Sequence, residues 1–98
     1  MSRFTDLFHT SPSEALPHNK SIVDDLYDQG WEYEHTQNEP REAAKYYRLA
    51  ACEGHKPAQT ALAMLYLNGK GVPENRALAF QWLVKADQRQ LIKLLENY

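Results

Sequence analysis

A single cysteine, Cys52, stands among the 98 residues, so no disulfide can close within one copy of the chain. That agrees with a reducing compartment. No stretch reaches the roughly 18 consecutive apolar residues that a membrane-spanning helix requires, so insertion into a bilayer is not expected. The opening residues, MSRFTDLFHTSPSEALPHNK, lack the continuous apolar core and small-residue cleavage site of a secretory signal. Cytoplasmic residence is therefore the expectation. Lys and Arg are missing altogether between Ser21 and Glu39, where Asp24, Asp25, Asp28, Glu32, Glu34 and Glu39 stand without a cation. From Pro40 onward the balance reverses, with nine Lys and Arg against five acids. The formal net charge of -2 and the lack of a basic stripe argue against nucleic acid as a partner, although Tyr and Trp are plentiful. The acidic stretch has two readings: it steers a basic partner or a second copy, or it solvates an exposed helix face.

Strand-like alternation is also absent, and what is present is helical spacing of apolar residues after Ser21. Five helices are expected. The first starts at the cap Ser21, runs to Glu34 or His35, and carries Ile22, Val23, Leu26, Tyr27, Trp31 and Tyr33. Pro40 opens a second helix with Ala43, Tyr46, Tyr47, Ala50 and Ala51 facing inward, and Gly54 stops it. Pro57 opens a third that buries Ala58, Ala61, Leu62, Leu65 and Tyr66. Asn75 caps a fourth whose inward residues are Ala79, Trp82, Leu83 and Ala86. A last segment, QRQLIKLLENY, packs Leu91, Ile92, Leu94 and Leu95 as a cap on the stack.

The helices repeat. A shift of 36 residues lays Ala43, Tyr46, Tyr47 and Ala50 over Ala79, Trp82, Leu83 and Ala86. A shift of 33 lays Gly30 over Ala63 and Tyr33 over Tyr66, but puts Leu26 on Gln59, so the first helices of the two units repeat only weakly. The second hinge, YLNGKGVPEN, is not a phosphate loop. Lys70 is followed by Gly71, Val72 and Pro73 rather than by Ser or Thr, and a helix precedes it where a phosphate loop needs a strand. It reads as a turn in which Gly69 and Gly71 take positive φ, Pro73 blocks helix continuation and Lys70 sits in solvent.

PAQTALAMLYLNGKGVPENRALAFQWLVKAD, Pro57 to Asp87, resembles the Sel-one-like repeat, a relative of the tetratricopeptide repeat. The signature is Leu-x-x-x-Tyr, then Asn-Gly-x-Gly-Val, then Ala-x-x-Trp-Leu-x-x-Ala. REAAKYYRLAACEGH, Arg41 to His55, resembles the second half of a preceding repeat. The resemblance implies an all-α fold: a short right-handed α-solenoid of antiparallel helix pairs, with a degenerate repeat over 21–55, a clear one over 56–90 and a capping helix to 98. Residues 1–20 form a separate segment, disordered or docking, in which RFTDLF, with Phe4, Leu7 and Phe8, is the candidate for an amphipathic cap.

It also implies a non-catalytic adaptor or scaffold that binds a protein or peptide on its concave face, in a family at work mostly in assembly, signalling and cell-envelope pathways, often in bacteria. Placing Gly30 and Ala63 at the helix crossing puts Asp24, Tyr27, Trp31 and Glu34 with Thr60, Met64, Leu67 and Asn68 on that face. Aromatics and Met suit a docking groove with acidic edges, while Trp31 and Leu67 as core residues are the alternative. A second function class is an inhibitor or immunity-type protein that blocks one toxin or enzyme with the acidic first helix, and a third is end-to-end stacking of copies.

No catalytic residue, cofactor or metal is assigned. Cys52 and His55 are three apart, but no orienting group or oxyanion site accompanies them. Cys52 is expected to pack as a small hydrophobe. His9, His18 and His35 show no ligand spacing.

Overall fold

The hydroxyl of Ser21 accepts the Asp24 backbone N–H at 3.1 Å, which satisfies one of the donors that every helix start leaves open. This is where the computed structural model begins its description, which covers residues 21–97. The docking segment, with Phe4, Leu7 and Phe8, lies outside the described residues. Helix α1 runs Ile22–Trp31 and passes into a π-helical turn, Glu32–Thr36. The expected helix end is thus replaced by a wider coil. Its consequence is that two successive residues both meet the next helix: the Tyr33 ring stacks on Tyr46 at 5.4 Å, and Glu34 reaches Tyr47.

The first hinge turns through Asn38, at φ 55°, and Pro40 opens α2, Pro40–Cys52. Gly54, at φ 87°, reverses the chain, and His55 caps α3, Lys56–Asn68. Gly69 closes α3 in the left-handed conformation. The Asn75 side chain accepts the Leu78 N–H at 2.9 Å and starts α4, Arg76–Lys85. Asp87, at φ 59°, leads through Gln88 into α5, Arg89–Glu96. Each helix packs on the next along the chain, and the short connections run neighbours antiparallel. The fold is an all-α solenoid of helix pairs.

The core lies in the middle three helices. Ala43, Ala50, Ala51, Ala58, Ala63 and Ala79 are buried where helices cross, and Tyr47, Leu62, Leu65 and Leu83 are the largest fully buried side chains. Small residues let the backbones approach while these four fill the remaining volume. The outer helices contribute less: α1 buries only Gly30, and α5 buries no residue completely. At Gly30 a Cβ would stand 2.6 Å from the Tyr47 ring, so the crossing of α1 and α2 requires glycine.

Several expected core residues differ. Tyr46, Ala61 and Trp82 are half-buried, because each sits at the edge of its helix's inward stripe. Leu94 is 68% exposed, since it projects from the side of α5 away from α4. Cys52 is exposed rather than packed, being the last residue of α2 and beyond the Ala50–Ala51 contact.

The glycine pair of the second hinge divides its work. Gly69 is the left-handed cap, and Gly71, at φ 77°, lies against the start of α2, where a Cβ would meet the carbonyl carbon and oxygen of Pro40 at 2.5 Å. The second hinge therefore seats on the first repeat. Gly71→Ala should cost about 1–2 kcal/mol for the left-handed conformation and a further ~1–3 kcal/mol for the backbone clash. Gly54→Ala, at positive φ but with nothing within 4 Å, should cost only the first amount. Urea unfolding of the two variants checks this, and equal losses would mean that the seat on Pro40 contributes nothing.

Candidate protein-docking face

Two polar ties fix α1 beside α3, one at each end. At the start, His55 Nδ1 accepts the Ala58 N–H at 3.1 Å, which leaves the imidazole proton on Nε2, 2.9 Å from Asp24 Oδ1. One ring thus caps α3 and holds α1. The Tyr27 ring lies over the same histidine, 5.0 Å between centroids, and over Tyr47 at 5.6 Å. Partial desolvation pushes the Asp24 carboxyl upward, but the hydrogen bond to His55 and those to Ser21 outweigh it and hold the carboxyl below its ordinary 3.8.

At the far end, Glu34 Oε1 accepts the Tyr47 hydroxyl at 2.8 Å, and Lys70 Nζ stands 3.9 Å from Glu34 Oε2. The hinge lysine expected in solvent is half exposed and also reaches this carboxylate. His35 Nε2 adds a contact at 3.4 Å. Start is tied to start and end to end, so α1 and α3 run parallel.

Between the ties, Trp31 is 46% exposed and its ring lies tilted against His35, 4.5 Å between centroids. Tyr27 is half-buried, and Asp24 and Glu34 are held by the two ties. On α3, Thr60, Met64 and Leu67 are half-buried at helical spacing, with Leu67 packed in part on the core, and Asn68 is exposed at the helix end. Sequence reasoning missed Gln59, which is 5% exposed. Its Nε2 donates to the Ala51 carbonyl at 3.0 Å, a bond between α3 and α2, while its Oε1 and the Thr60 hydroxyl are buried without a partner. The failed match of Leu26 with Gln59 was the sequence signal for this residue.

A family model for the Sel1 repeat matches residues 25–55 and again residues 56–86. The chain belongs to the Sel1 repeat family. No curated protein and no solved structure matches it. The seam between the two Sel1 repeats falls at His55, the residue whose ring joins α1 to α3. Sel1 repeats generally mediate contact between proteins and are typically non-catalytic. Both imidazole nitrogens of His55 are engaged, one by Ala58 and one by Asp24, and the Cys52 thiol is exposed. Among the described residues no cluster of His, Cys, Asp and Glu could hold a metal ion, and no helix is long and apolar enough to cross a membrane.

Burial first, then the hydrogen bond and negative charge of Glu34, push the Tyr47 hydroxyl far above its ordinary 10.0. Folding favours the neutral phenol, so this contribution is intact below pH 10.0 and is lost as pH rises above it. Tyr47→Phe leaves Glu34 without its donor and should cost ~1–3 kcal/mol at neutral pH. The variant should also lose stability less steeply in alkali. Denaturant titrations at pH ~7 and pH ~11 read both effects; a variant that matches the parent protein at each pH would show that the bond is immaterial.

Proposed function

We propose that the chain is a non-catalytic cytoplasmic adaptor that docks a protein or peptide with basic residues on the face bounded by Asp24, Tyr27 and Trp31 of α1, Glu34 of the π-helical turn, and Thr60, Met64, Leu67 and Asn68 of α3. The observation that carries this reading is the half-exposed Trp31 in a segment with six acids and no cation. A large indole left in water, backed by His35, is the kind of rigid anchor around which binding energy concentrates. The acids on the same helix favour a cation on the partner, which can stack on the indole face. Met64 and Leu67 supply adaptable apolar surface on the parallel helix.

Family membership supports a protein as the class of partner, and the acids between Ser21 and Glu39 support its basic character. A second copy of the chain is one such partner. The inhibitor reading, in which α1 blocks one toxin or enzyme, draws on the same acidic helix and differs in expecting one tight, salt-sensitive partner.

Capture of partners by tagged protein from its native host, beside a Trp31→Glu, Met64→Glu variant checked to remain folded, tests the site. Loss of a captured protein by at least about tenfold, equivalent to ~1.4 kcal/mol, is expected in the variant. A single dominant protein released by salt would favour the inhibitor. Full retention by the folded variant would remove these residues from the interface.

A further inference from the structure

We draw no further inference here: the strongest candidate, the cleft of about 490 Å³ that Glu39, Pro40, Arg41, Glu42 and Gly71 line at the start of α2, rests on a helix N-terminus beside an exposed arginine, and nothing among the described residues points to a ligand in it.

Discussion

Tyr47 is the residue to which most of the first repeat is fitted. It is the largest fully buried side chain, set among alanines, and its ring occupies the space where any side chain at position 30 would stand. A buried phenol must also find a hydrogen-bond partner, or its desolvation opposes folding. Glu34 supplies that partner, and it arrives there with Tyr33 already committed to Tyr46 because the π-helical turn brings both residues to α2. The carboxylate in turn attracts Lys70 from the second hinge. One aromatic side chain thus accounts for a required glycine, an unusual turn and a contact between repeats.

The second repeat solves the same problem with less. Leu83 stands where the 36-residue shift places it over Tyr47, and an aliphatic side chain asks for no acceptor. No carboxylate has to be delivered to it, and its hinge is free to serve another purpose. Gly69 and Gly71 use that freedom to turn the chain and to lay it against the Pro40 carbonyl. The two hinges therefore differ in sequence because the residues they serve differ in polarity.

These differences explain what the sequence made legible. Caps and stops depend on local chemistry, so Ser21, Pro40, Gly54, Asn75 and the glycine pair could be read residue by residue. The alanine stripes of α2 and α4 were legible too, because their period repeats. What depended on distant partners was not. The π turn brings Tyr33 to Tyr46 and Glu34 to Tyr47, and the role of His55 as a joint requires Asp24, 31 residues earlier. Gln59 looked like a break in the repeat, yet it is buried because its amide finds the Ala51 carbonyl. Leu94 looked like core because periodicity registers an apolar side chain whether or not anything covers it. For the candidate face, the shift of 33 that sets Tyr27 against Thr60, Trp31 against Met64 and Glu34 against Leu67 is a relation within the sequence. That Asp24, Tyr27 and Glu34 also serve as structural ties was not legible there.

That double use bears on how such a face can work. A side chain that holds the scaffold cannot move far to greet a partner, so Asp24, Tyr27 and Glu34 present a fixed background of charge and ring surface. Trp31, Met64 and Asn68 lie outside the ties, and under the proposed docking they are the positions that would differ between one partner and another. Rigidity in the first group lowers the ordering cost that binding must overcome. Under the proposed docking, variation in the second group would change what binds while the ties hold the repeat. The acidic charge of α1 follows the same division. Where a carboxylate is tied, it stabilises the stack, and where it faces water, it shapes the field that an approaching partner meets.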